Sequence, residues 1–321
     1  MRNLKELPDR LEALQRKAAK KIRKCSFNDC VGDTAKNHCV SQSFLRNICS
    51  EGYVRELNVS PWVDGMLLYQ KKGIGEATTF HGLCSTHDHI LFGPIDRPEI
   101  EITYDNLILL AYRSLLREKL KKTIKMEAYG IFSTEFKNVR SDMVRQTALK
   151  SRQFRFNLLS VKWYEDALIG EISKPTGNFV FRQIDFPYFD VVGSELFTYE
   201  PDHITHLKRQ TYSEHKTLLP FSDIFLNLIP SRMDNKLKVT IGGHIKDAGL
   251  IDHLHYQLAS GDPLKSLSDI LFLQVGDWVC SEDFYRQYLH SKVPTIVDLF
   301  KETANVGAIH RTTRFNVFER N

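Results

Sequence analysis

Two short knuckles, Cys25-x4-Cys30 and Cys84-x2-His87, constrain this chain more than any other feature of its sequence. Each offers two soft or borderline donors, and four such donors close a tetrahedral zinc site with no open position. The segment they bracket is too short to build much core of its own, so a metal staple makes physical sense. The competing reading is a set of free cysteines beside a chance histidine. Paired spacing is a specific signal where isolated cysteines are not. The N-terminal MRNLKELPDRLEALQRK has no apolar stretch of the secretory kind, and no apolar run approaches the ~18–20 residues of a membrane span. A reducing, cytoplasmic setting with no membrane contact is therefore expected, in which disulfides are not the default. Cys39 and Cys49 then read as small core residues.

Charge is unevenly placed. Residues 1–24 hold nine Lys/Arg against three acids, more than the whole chain's net +5. Leu4, Leu7, Leu11, Leu14 and Ala18 fall on one stripe, which predicts a helix over 4–23 with Pro8 in its first turn. A basic helix on a near-neutral body points to an anionic partner, with Lys17, Lys20 and Lys21 as candidate nucleic-acid contacts. The plainer reading is a solvated helix face.

Periodicity predicts a short strand before residue 40, a short helix or turn at 41–48, and strands at 52–59 and 66–71. Helices are predicted at 85–92, ended by Gly93-Pro94, and at 104–127 and 136–160. A β-like stretch at 178–199 and a half-buried strand at 236–242 follow, then helices at 246–259, 266–275, 282–290 and 295–304. The pattern reads as α+β. It divides into a basic helix (1–24), a small metal-braced domain (25–98) and a larger mixed α/β C-terminal domain (99–321) for recognition or regulation. The stretch 137–155, with six basic residues and one acid, is a further surface suited to phosphates.

The stretches CSFNDCVGDTAKNHCVSQSFL and FHGLCSTHDHILFGPID place Asn37-His38 between the knuckles and Asp88-His89 directly after the second. In this arrangement residues 25–96 resemble the HNH, or His-Me finger (ββα-metal), endonuclease family. The resemblance implies a β-hairpin and helix that hold one divalent metal, Mg²⁺ or Mn²⁺, often braced by a structural Zn²⁺ bound through the two knuckles. By position His38 matches the general-base histidine, and Asn37 matches a residue that often ligates the metal. Asp88 matches the last metal ligand, and Thr79 the middle asparagine that orients the loop. The name-giving positions thus read His, Thr, Asp. His81 and His89 are alternatives one step away, and Arg46 is a candidate phosphate contact.

What the resemblance implies is hydrolysis of phosphodiester bonds in DNA, less often RNA. A histidine titrating near neutrality can take a proton from water, and a divalent cation can stabilise charge on phosphate. The architecture looks similar to effectors of bacterial phage-defence systems, whose activity depends on a regulatory partner protein or on homo-oligomer assembly. The alternative is a zinc-braced module that binds nucleic acid or protein without catalysis.

Overall fold

The computed structural model describes residues 7–27, 30–57, 68–139, 141–199, 220–303 and 312–320. The expected helix start at 4–6, the strand ends at 58–59 and 66–67, Arg140 and residue 304 lie outside the described residues. The fold is α+β. No helix among the described residues is long and apolar enough to cross a membrane.

The first helix, α1 (Leu7–Lys21), buries Leu7, Leu11, Leu14 and Ala18, the stripe that its spacing predicts. Two strands of two residues each, β1 (Asn37–His38) and β4 (Thr79–Phe80), form a small antiparallel ladder with His38 opposite Thr79. Between them lie α2 (Gln42–Ile48), capped by the Ser41 hydroxyl, and an antiparallel hairpin of β2 (Tyr53–Leu57) and β3 (Tyr69–Gly73). After β4 comes α3 (Ser85–Phe92).

Two helices of 32 residues follow, α4 (Tyr104–Glu135) and α5 (Asp142–Ser173). Each is about 48 Å long at 1.5 Å per residue. Thr103 caps α4 by accepting the Asn106 N–H. α5 runs past residue 160 and stops where Pro175 forces Lys174 into an extended conformation (φ −151°, ψ 98°).

The remaining strands are β5 (Phe179–Pro187), β6 (Val191–Thr198), β7 (Asp223–Ser231), β8 (Lys236–His244) and β9 (Trp278–Cys280). With the β2–β3 hairpin they make one seven-stranded sheet in the order β3-β2-β9-β6-β7-β8-β5, every described pair antiparallel. The hairpin from residues 53–73 therefore shares a sheet with strands from 179–280.

The sheet is covered on both faces. Phe225 and Ile229 of β7 join Val192, Leu196 and Val279 in a core with α2, α3 and the first half of α4. Ile224, Leu226 and Leu228 point the other way, onto Ile251, Leu254, Leu267, Leu271 and Ile296 of the later helices. A third, separate cluster joins Leu7, Leu11 and Leu14 of α1 to Ala128, Phe132, Phe136 and Val144 at the far end of the α4–α5 hairpin. The helical hairpin thus projects as an arm with α1 laid along it, tied also by Arg10–Glu135 and Lys21–Glu127 ion pairs.

Because the arm has its own core, it can loosen without the sheet. Phe132→Ala removes a fully buried ring and is expected to cost the arm about 3–5 kcal/mol. Hydrogen exchange should quicken over residues 7–21 while the slowest amides of β6–β8 keep their rates.

Candidate metal and catalytic site

Cys25, Cys30, Cys84 and His87 converge, with all four donor atoms within 4.8 Å of one another. Backbone geometry brings them there. Cys25 N–H donates to Gly32 O, which closes the first knuckle, and Ser26 N–H donates to Gly82 O, which binds it to the second. Cys84 is the residue that precedes α3. The N–H of His87 in the first turn draws the Cys84 thiol below its ordinary pKa, whereas burial raises that of Cys25. His87 Nδ1 lies 3.5 Å from Cys25 Sγ and 3.3 Å from Cys84 Sγ, and Cys30 Sγ lies 4.0 Å from Cys84 Sγ. Tetrahedral coordination at zinc's usual bond lengths sets sulfurs about 3.8 Å apart and sulfur and nitrogen about 3.6 Å apart. The three separations are close to these values, so the cluster could hold a metal ion of that size.

The knuckles fix β1, β4 and α3 relative to one another, and three of the expected functional side chains meet at that junction. His38 is half-buried, and its Nε2 lies 3.1 Å from the Ile74 carbonyl oxygen. A carbonyl only accepts, so Nε2 carries the proton and Nδ1 keeps the lone pair. Burial lowers the His38 pKa; the Ile74 carbonyl opposes that shift and the charge of Arg113 adds to it. The imidazole is accordingly neutral at neutral pH.

Asp88, one residue into the helix beyond His87, is half-buried, and its Oδ1 has no hydrogen-bond partner. Burial raises its pKa, against the opposing charge of Arg113. Asn37 occupies a different role from the expected ligand. Its Oδ1 accepts from Gly82 N (2.9 Å) and Leu83 N (2.7 Å), so both lone pairs are committed to the loop that presents Cys84. Its Nδ2 is buried with no well-formed hydrogen bond, and the amide lies near enough to Asp88 to favour that carboxylate's charge. Thr79 Oγ1 donates to Glu76 O at 2.9 Å, inside the loop that also carries Ile74.

Beneath this group lies a pair that the sequence did not single out. Arg113 of α4 is 1% exposed, donates through both terminal nitrogens to Asp96 (2.9 Å each) and stacks its guanidinium 4.3 Å over the Phe92 ring. It sits at a helix position that reads from sequence as one more charge. Only the fold reveals that it is buried.

The other candidates lie elsewhere. His81 and His89 are exposed. Arg46 is exposed on α2 and donates to Gln42. Lys17 and Lys20 are exposed on α1, while Lys21 is paired with Glu127. Among the described residues no second group of three His, Cys, Asp or Glu donors converges as the first does. No family model matches the chain, and no curated protein and no solved structure matches it.

Metal analysis of the purified chain is expected to find one tightly held ion. Cys84→Ser should lose it and lower the melting temperature by several degrees. An unchanged metal content in that variant would contradict the four-donor arrangement.

Proposed function

We propose that the chain is a metal-dependent, HNH-like endonuclease acting on DNA, with RNA the less favoured substrate. The observation that carries this reading is His38, a neutral imidazole whose proton is fixed on Nε2 by a backbone carbonyl, together with the unpartnered, half-buried oxygen of Asp88. The Cys25/Cys30/Cys84/His87 cluster is read as a structural Zn²⁺ site, since thiolate and imidazole donors suit that ion.

The chemistry divides among the chain's own groups. His38 Nδ1 accepts a proton from the attacking water, and the Ile74 carbonyl keeps the ring in the tautomer that can do so. Asn37 holds the loop at 82–83 and with it the start of α3. Asp88 supplies the oxygen donor for a Mg²⁺ or Mn²⁺ ion, which commonly binds one or two carboxylates and retains water in its other positions. That ion, when bound, supplies charge stabilisation to the phosphate and the leaving oxygen. Asn37, with its oxygen committed, has no place in the donor set.

The exposed Lys17, Lys20 and Arg23 form a short basic track at the end of α1, where the neighbouring Lys24 is paired with Asp33. This track suits a phosphate backbone. Effectors of phage-defence systems, controlled by a partner or by assembly, are the biological setting this reading favours. A second reading is a binding module in which the metal only shapes an interface. It draws support from the single open carboxylate and from threonine at position 79.

Nicking of supercoiled plasmid with Mg²⁺ or Mn²⁺ tests the two. His38→Ala is expected to lower the rate by about 10²–10⁴-fold while the protein stays folded and metal-loaded. A folded His38→Ala protein that cuts as the wild type does would remove His38 from the mechanism. Binding without any cutting would favour the module.

The pH profile should also separate them. His38 must be neutral to act, and its pKa is lowered from the ordinary 6.5. The rate should therefore rise with pH through a midpoint below that value and level off above it. In salt titrations of DNA binding, Lys17→Ala with Lys20→Ala should make the slope of log K against log salt shallower. The reduction should be about 0.9 for each phosphate that a lysine no longer neutralises.

A further inference from the structure

The loop that anchors His38 is itself gripped from outside the hairpin. Residues 74–78 connect β3 to β4. At one end Ile74 O receives the His38 Nε2 proton; at the other, Thr78 O receives the backbone N–H of Cys39, the residue after His38. Thr78 is fully buried and adopts φ +56°, a left-handed conformation that a β-branched residue takes only when its surroundings impose it. Two charged side chains impose it here. Glu56 Oε1, from β2, accepts the Thr78 N–H at 3.1 Å. Arg117, from α4, donates through one nitrogen, Nη1, to both Thr78 O (2.9 Å) and Thr79 O (3.0 Å). The other nitrogens of Arg117, Nε and Nη2, are bound by Asp277 at 2.5 and 2.9 Å, just before β9. Lys121 ties the same carboxylate to Glu195 of β6.

We propose that Arg117 is the positioning residue for His38, holding the strained Thr78 and the adjoining start of β4 so that the Ile74 carbonyl faces the imidazole. This rests on the reading of His38 as the general base. It assigns to α4 and the sheet much of the loop-orienting work that the resemblance gives to position 79, where the Thr79 hydroxyl reaches only Glu76 O. The guanidinium suits the task because its planar fork can serve a carboxylate and two carbonyls together. A lysine ammonium, a single point of charge, cannot span all three.

The test compares Arg117→Lys, Thr78→Gly, the double variant and Asp277→Asn, each checked for bound metal and for folding by circular dichroism. The first readout needs no activity: the ¹⁵N shifts of His38, which report the tautomer and its pKa. Wild type should show proton on Nε2 alone. Arg117→Lys should show a mixture of tautomers, with kcat for plasmid nicking reduced about 10- to 100-fold and KM unchanged. Thr78→Gly alone should behave as wild type, since glycine adopts positive φ without steric cost. Combined with Arg117→Lys it should restore the Nε2 tautomer and most of kcat, because the loop no longer needs to be forced. If Arg117→Lys does not fold, Asp277→Asn carries the same comparison, with the same direction of change expected.

An Arg117→Lys protein with the wild-type tautomer and wild-type kcat would overturn the proposal. So would a double variant no better than Arg117→Lys. Were the wild type to cut no DNA, or His38→Ala to cut normally, the nuclease reading would fall. The tautomer comparison would still decide separately whether Arg117 sets the ring.

Discussion

Three sulfurs and one nitrogen brought within 4.8 Å of one another are the constraint on which the rest of the site depends. The small ladder of β1 and β4 has two residues in each strand, far short of what holds a hairpin together in water. α3, at eight residues, is likewise too short to persist alone. What orients these three elements is that Cys25 and Cys30 approach from one side and Cys84 and His87 from the other. Asn37 completes the junction by binding Gly82 and Leu83 just ahead of the second knuckle. With the junction set, His38 on β1 and Asp88 on α3 are both held half-buried, near enough for the imidazole to act on the Asp88 carboxyl electrostatically.

Much of this is legible in the sequence. Knuckle spacing picks out the four donors, and Gly93-Pro94 marks the end of α3. The apolar stripe of α1 follows from 3.6-residue periodicity because that helix buries one face, whereas the start of α4 is buried on all sides and is legible from its apolar content and the Thr103 cap. His38 and Asp88 stand out by their positions around the knuckles. Sequence offers Asn37 as a metal ligand by its donor type but cannot show that Gly82 and Leu83 already donate to its oxygen.

The omissions share a cause. β7 (DIFLNLIPS) is buried along its whole length and packs helices on both faces, so it lacks the alternation that marks a half-exposed strand. β9 has three residues and gains its meaning only from β2 and β6 on either side. Arg113, Arg117 and Lys121 read as the polar face of a helix. In the fold, the segment of α4 that bears them lies between the metal-braced elements and the sheet, and Asp96, Asp277 and Glu195 balance their charge. Buried arginines bound by carboxylates depend on long-range pairing, 160 residues apart for Arg117 and Asp277, which no local pattern encodes.

That pairing bears on how the parts of the molecule relate. A buried ion pair contributes little net stability, since desolvation offsets most of the attraction, but removing one partner leaves a charge stranded and is costly. Such pairs therefore fix geometry more than they add stability. Arg117 and Arg113 are four residues apart, on one face of α4, and reach the two ends of the same site: the β4 side through Thr78 and Thr79, and the α3 side through Asp96. One rigid helix thus registers both sides of the His38–Asp88 group against a seven-stranded sheet. The same helix carries α1 and the arm on its far half. A partner or nucleic acid that pulled on the arm would act along the element from which the site takes its alignment, with no hinge in the described backbone between residues 104 and 135.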